Sequence, residues 1–314
     1  MVDLLTTILG ITIALIATTC FNLGIILQKR GLRECRDIKI EEGVRSIVAV
    51  FKELCKNKPW FIGTALGIIG MIPYAIAMGM VGIVVVQPIM SVGLIIFFVS
   101  AIKILKEKVT YFEVIPIILL ISVPLFIGLA QISDPYIDLY EFVIPFFVFF
   151  FIMLALSAIS YYFSQRKRGT RMEGIFIMFI GAIFYSLGAF FTNILTQALI
   201  DSNIFIPFFW EIIFGIFWFE YAHLWAFLGF WGLAIFNVAS VIFIQSALQR
   251  SKAVFIVPIQ NSITFIVPII AGLFVFNQRF TNNIFFIITI IIVLISTIIL
   301  SKYEASIQNS DNYS

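Results

Sequence analysis

The sequence predicts an all-α polytopic membrane protein with about nine transmembrane helices, arranged as two inverted four-helix repeats plus a linker helix. Three observations lead there. First, 61% of the 314 residues are hydrophobic, 12% are charged and 36 are Phe, with a mean hydropathy of +1.10. A water-soluble domain of this composition would expose apolar surface and aggregate. Second, apolar segments run for about 20 residues or more without strand-like alternation, the length a helix needs to cross the hydrocarbon core. Third, the stretch Val81–Thr110, VGIVVVQPIMSVGLIIFFVSAIKILKEKVT, has a counterpart in Ser251–Thr281, SKAVFIVPIQNSITFIVPIIAGLFVFNQRFT. Pro88 and Pro258 stand a few residues into these runs, and 22 and 23 residues later each run closes on a related tag, KEKVT or NQRFT. Such a repeat points to two halves folded alike, with the function between them.

In chain order, the first span covers Leu4 to Leu27, too long and too poor in N-terminal basic residues for a cleaved signal, and is stopped by Gln28, Lys29 and Arg30. Residues 29–58 carry nine Lys or Arg and five Asp or Glu, and in GVRSIVAVFKELCK the residues Val44, Ile47, Val48, Phe51 and Leu54 recur at helical spacing. That pattern predicts an amphipathic helix lying on the membrane surface. Span two runs from Trp60 to about Met80, and its Gly63, Gly67 and Gly70 predict one smooth face for close helix contact. Span three follows almost at once, so the two form a hairpin, each half kinked or unwound near its proline in spans three and eight. Span four is Tyr111–Leu129, then comes the acidic loop QISDPYIDLYE, and span five covers Phe142–Phe163. Span six is Gly174–Ile200. The segment DSNIFIPFFWEIIFGIFWFEYAH, interrupted by Pro207, Glu211 and Glu220, reads as a second interfacial helix. Spans seven to nine are Leu224–Leu248, Ala253–Phe276 and Ile284–Ser301.

Loop charge supports this count. With alternating spans, one side collects 19 of the 20 Lys and Arg, and the other keeps only Arg279, against Asp3, Asp134, Asp138, Glu141, Asp201, Glu211 and Glu220. Basic loops stay cytoplasmic, so the N-terminus is expected outside and the C-terminus inside, in an integral protein of the cell membrane. The domains are then a first repeat at 1–130 with its cytoplasmic segment at 29–58, a linker at 131–170, an inverted second repeat at 171–302 with its interfacial segment at 201–223, and a disordered tail at 303–314.

The polar residues inside the spans are almost all uncharged: Thr18 and Asn22, Gln87 and Ser91, Ser186, Asn193 and Gln197, Asn237 and Ser240, Gln260, Asn261 and Thr264. Amides facing lipid are costly, so these faces point inward. They either bond helix to helix or line a solute site. With the aromatic walls Tyr74 and Tyr185, a substrate site is expected from Asn22, Tyr74, Gln87, Ser91, Asn193, Gln197, Asn237, Gln260 and Asn261. Glu113 is the nearest candidate for a membrane-embedded carboxylate. Cys20, Cys35 and Cys55 form no CxxC pair, and His223 is the only histidine. No metal set, nucleophilic triad or phosphate loop is therefore read, no cofactor is expected, and an enzyme is not expected.

FNLGIILQKRGL at the end of span one, the glycine-bearing hairpin followed by Pro88, and the terminators KEKVT and NQRFT resemble the drug/metabolite transporter superfamily, specifically its EamA-type repeats. The four-one-four layout is closest to the NIPA branch, described as magnesium transporters. One departure bears on substrate. NIPA-type proteins usually have a Glu, and an Asn three residues later, ahead of an Ala-Tyr-Ala run, and aligning that run on Pro73-Tyr74-Ala75 puts Gly67 and Gly70 there. Mg²⁺ wants oxygen ligands and sheds water reluctantly, so without that carboxylate it would be held hydrated, through carbonyls and amides.

The expected function is secondary transport of a small solute by alternating access, with a NIPA-like magnesium carrier as the alternative and a non-transporting membrane scaffold as the alternative of another class. The expected partners are the lipid bilayer and a small-molecule solute or Mg²⁺, with no nucleic acid. A homo-oligomer is compatible with this layout.

Overall fold

The computed structural model describes residues 4–38, 40–81, 83–106, 142–202, 209–275 and 282–292, with isolated positions between 114 and 129 and between 295 and 299. All regular structure among them is helical: α1 Leu4–Leu32, α2 Val44–Lys56, α3 Lys58–Val81, α4 Ile83–Leu105, α5 Val143–Arg166, α6 Arg171–Ser202, α7 Phe209–Ile213, α8 Tyr221–Arg250 and α9 Ala253–Phe274, then α10 Asn283–Ile292. Among the described residues, five segments are long and apolar enough to cross a membrane: Ile8–Leu32, Val143–Arg166, Met172–Leu199, Tyr221–Arg250 and Ala253–Phe274. The helices α3 and α4, of 24 and 23 residues, coincide with the second and third expected spans. In the fourth, Val114, Ile115, Pro116, Ile118, Leu119, Ser122, Phe126 and Leu129 are helical. Glu113, Arg279, the acidic loop and the C-terminal tail lie outside the described residues.

Each half has the same pairing. The first long helix, α1, packs most extensively on α3 and then on α4; in the second half α6 packs on α8 and then on α9. The α1–α3 contact is backbone against backbone. A Cβ on Gly63 would stand 2.5 Å from the Gly24 carbonyl oxygen and 2.7 Å from the Gln28 nitrogen, and one on Gly24 would stand 2.7 Å from the Gly63 oxygen. Without a hydrophobic drive between helices in lipid, such close approach is what holds them. Gly70 belongs to the same face, since its Cβ would meet Cys20 at 3.0 Å, whereas Gly67 points into open space. Of the expected three-glycine face, Gly67 takes part only through its backbone nitrogen, 3.4 Å from the Cβ position of Gly24. In the second half Gly229 meets the backbone of Leu195, whereas Gly188 receives the Asn237 side chain and Gly232 the Phe191 ring.

The linker helix α5 lies on α6. Its FFVFFF run divides, with Phe146 and Phe149 buried and Phe147 and Phe151 exposed. Phe146 stacks on Phe190 at 5.5 Å between centroids, and Phe142 lies 4.7 Å from Trp225.

The helix ends carry the orientation. Glu173, near the start of α6, pairs with Arg250 at the end of α8, and Arg250 also donates to the carbonyl of Ile38, just past the end of α1. Trp60, near the start of α3, donates to Gln245 near the end of α8. Lys29, near the end of α1, donates to the Ser251 carbonyl just before α9. The C-termini of α1, α4 and α8 and the N-termini of α3, α6 and α9 therefore share one end of the bundle, here termed the basic end. Corresponding helices of the two halves run antiparallel.

The amphipathic helix α2 is present, rotated from the expected face. Val50 and Leu54 are buried, Phe51 meets Trp60 edge to face at 6.2 Å, and Val44 and Val48 are exposed at 76% and 47%. Docking through Phe51 and Leu54 against α3 turns Val44 and Val48 outward, where a membrane surface can take them. Of the second interfacial segment, described residues 209–220 form two short pieces, α7 and a 3₁₀ turn Gly215–Trp218, not one helix. They are held on α8 by Trp231 Nε1 donating to Ile213 O at 3.2 Å, by Gly215 against the His223 carbonyl, and by Glu220 at 2.9 Å and Glu211 at 3.9 Å from the His223 ring nitrogens.

Candidate functional site

Interior amides in this bundle form where a glycine admits a neighbouring helix. On α1, Asn22 is buried and its Nδ2 donates to Thr18 O at 2.7 Å and Thr18 Oγ1 at 3.1 Å. Gly93 of α4 crosses above this pair, its Cβ position only 2.5 Å from Asn22 Nδ2. On α8, Asn237 Nδ2 donates to Leu233 O at 2.8 Å, and Gly188 of α6 crosses it at the same 2.5 Å. The hydroxyls behave alike: Ser186 donates to Ala182 O, Ser240 to Asn237 O and Ser262 to Pro258 O, each at 2.9 Å. Bonds of this kind tie amide and hydroxyl donors to carbonyls of their own helix.

The remaining expected site residues are distributed as follows. Tyr74 is half-buried and meets Phe21 edge to face at 6.2 Å, and Tyr185 of the other half is 47% exposed. Gln260, Asn261 and Gln197 are half-buried and Asn193 is exposed. The side chains of Gln87, Ser91 and Pro88 lie outside the described residues. Pro258 is buried in the bundle, as a proline bordering the interior would be. Both α4 and α9 nevertheless run unbroken through Pro88 and Pro258, so the expected unwinding is absent; a proline near a helix start removes few internal bonds. Among the described residues no group of three or more His, Cys, Asp or Glu gathers as metal ligands.

A second polar cluster, at the basic end, escaped the sequence reading. Lys29, read there as a solvated span terminator, is 4% exposed and donates to Ser251 O. Gln245 Nε2 donates to Gln28 Oε1 at 2.7 Å, and Trp60 Nε1 donates to Gln245 Oε1 at 3.4 Å. Ile38 N donates to Gln249 Oε1 at 2.8 Å, Gln249 Nε2 donates to Arg36 O at 3.0 Å, and Ser246 Oγ donates to Ile38 O at 3.2 Å. Gln245 and Gln249 stand four apart in the sequence, the one available signal that both serve one helix face.

In comparisons with known proteins, the chain is 30% identical over 104 residues to the probable magnesium transporter NIPA9 of Arabidopsis thaliana. The match covers 33% of this chain and 28% of that relative. No family model matches the chain. No solved structure matches it. The chain is an apolar helical membrane protein with partial similarity to a NIPA transporter.

Proposed function

We propose that this protein is a secondary membrane transporter of the drug/metabolite type, with nine spans laid out as two inverted four-helix repeats and a linker helix, its basic end cytoplasmic. The observation that carries the reading is the pairing of the halves: α1 on α3 and α4, α6 on α8 and α9, with each corresponding pair antiparallel. Two such halves can rock against each other about a site between them. The site is formed from the amide and hydroxyl faces of α1, α4, α6, α8 and α9 with Tyr74 and Tyr185, and it is uncharged, so it selects by hydrogen bonding and shape.

A second reading, favoured by the partial identity to the plant relative, makes Mg²⁺ the solute. With Gly67 and Gly70 where a carboxylate and an amide would be expected, this site would take the ion with its inner water retained. One experiment addresses both readings. The purified protein is reconstituted in liposomes and uptake of Mg²⁺ and of small polar organic solutes is measured, alongside melting temperature, for the wild type and for Asn193→Ala, Gln260→Ala and Asn261→Ala. Loss of one site amide lowers apparent affinity several-fold, as about 0.5–1.5 kcal/mol implies. Early melting with unchanged affinity in all three variants moves the site elsewhere, and a wild type that moves no solute favours a scaffold.

A further inference from the structure

We propose that the basic end is a gate, closed in this structure by a hydrogen-bonded lock whose central members are Lys29, Gln28 and Gln245; the inference rests on the transporter reading and specifies where its solute is stopped. Three observations carry it.

The first is the nature of the seam. Within each half, helices meet through glycines, with backbone atoms in contact that no side-chain rotation can separate. At the basic end the halves are joined by side-chain hydrogen bonds: Lys29 to Ser251 O, Gln245 to Gln28, Trp60 to Gln245, and the strap of residues 36–38 to Ser246, Gln249 and Arg250. Each donor and acceptor in this set can exchange its partner for water when the halves part. At this end the halves are therefore joined by polar contacts that water can replace.

The second is the plug behind the lock. Ala253, Val254, Phe255, Ile256 and Val257 are each 0% exposed, so the first turn and a half of α9 is buried all round. A helix apolar on every side and enclosed by neighbours passes no solute. Gln260 and Asn261 begin immediately beyond it, about 10 Å deeper along the helix at 1.5 Å per residue. The polar site thus sits on the far side of a dry layer from the cytoplasmic loops.

The third is Lys29 itself. A lysine buried to this degree is tolerated only with oxygen partners, and its ammonium is satisfied by a carbonyl of the opposite half. Parting the halves returns that ammonium to water, so opening is favoured by rehydration and closing by the bond to Ser251. Lys29 is balanced between two states in a way that an apolar residue at this position would not be.

The test uses full-length protein in sealed vesicles whose basic end faces an impermeant maleimide, an orientation verified at native Cys55. Gln260→Cys is the reporter, with Cys20 and Cys35 replaced by Ser, and labelling is read peptide by peptide by mass spectrometry. Replacing Gln245 by Ala removes its bonds to Gln28 and Trp60 and raises the labelling rate at position 260 by about fivefold or more, the effect of removing at least one such bond from a two-state balance. Because Gln245→Ala could instead misfold, a second variant, Gln28→Cys with Gln245→Cys, is cross-linked by a short bifunctional reagent. Position 260 then stops labelling, and cleavage of the cross-link restores it. Equal rates across all variants, or solute flux that continues with residues 28 and 245 cross-linked, overturn the gate. Labelling that shifts as stated in a protein that moves no tested solute upholds the gate and refutes the transporter reading.

Discussion

Gly63→Ala is the substitution for which the geometry makes the strongest demand. A methyl group there would lie 2.5 Å from the Gly24 carbonyl oxygen and 2.7 Å from the Gln28 nitrogen, both backbone atoms of α1. Ordinary contact needs roughly 3.4 Å or more, so α1 and α3 must part by about 1 Å, and a gap of that size forfeits a quarter to a half of each dispersion contact across it. Overpacking of this kind costs about 1–3 kcal/mol, which the small gain in helix propensity from Gly to Ala offsets only in part. A matched control lies one turn on: Gly67→Ala gains the same propensity and meets nothing within 4 Å. In detergent, followed by circular dichroism or a thiol-reactive dye, Gly63→Ala melts roughly 3–10 °C below the wild type. Gly67→Ala melts at or above it. Equal melting temperatures for the two variants would refute the claim that backbone contact between Gly24 and Gly63 holds the first half together.

Three further outcomes follow from other parts of the molecule. In intact cells an impermeant maleimide labels a cysteine placed between Asp134 and Asp138 and leaves Cys35 and Cys55 untouched; labelling of native Cys35 from outside reverses the orientation. Arg250→Ala leaves the Glu173 carboxylate, 13% exposed and 2.8 Å from its lost partner, without its ion, which costs about 3–5 kcal/mol, whereas replacing both residues by Met recovers most of the loss in a chemical or thermal melt. Burial, then the nearby carboxylates of Glu53 and Glu34, hold the Cys35 thiol above its ordinary range. In permeabilised membranes it therefore alkylates more slowly than Cys55 at pH 8, and Glu53→Gln speeds it; identical rates for the two cysteines would remove the argument.

The extent to which this was readable beforehand follows from the range of each signal. The helix positions come from continuous apolar runs, a property of neighbouring residues, and α1, α5, α6, α8 and α9 lie where those runs place them: α5, α6 and α8 are extended by a turn or less, α1 runs five residues past Leu27 to Leu32, and α9 starts at Ala253 as read. Gly63 was legible because a small residue in a span has few other uses, yet the same argument included Gly67, which faces nothing. Periodicity gives spacing along a face, not the angle at which that face is docked, which is also why Val50 of α2 was passed over in favour of Val44 and Val48. Asn22 and Asn237 were singled out for polarity in an apolar run, and both are interior, but their donors bond within their own helices. The lock at the basic end had no local signature: Lys29 finds Ser251 at a separation of 222 residues. A lysine followed by an arginine at the end of a span reads as a charge stop in any single sequence.

The lock also explains why basic residues at that end do more than orient the chain in the membrane. A helix leaves its last carbonyls without intrahelical donors, and in a bundle whose ends are partly buried those oxygens need partners. Here Arg33 donates to the carbonyl of Leu105, the last residue of α4, at 2.8 Å; Lys29 donates to that of Ser251, the residue capping α8; and Arg250 donates to Ser246 O at 2.9 Å within the last turn of α8. Each cation meets the negative end of a helix dipole, where such charges are favoured. The C-termini of α1, α4 and α8 gather at one end because the halves run antiparallel, and the N-termini of α3, α6 and α9, which need no cations, fill the spaces between them. Placing these cations on helix-end carbonyls ties the charge of the basic end to its closure: Lys29 on Ser251 O crosses from one half to the other, as does the second bond of Arg250, to Ile38 O. In the proposed gate, parting the halves breaks both crossing bonds, but Arg33 keeps Leu105 O and Arg250 keeps Ser246 O, so of these three cations Lys29 is the one whose bond to a helix end is lost.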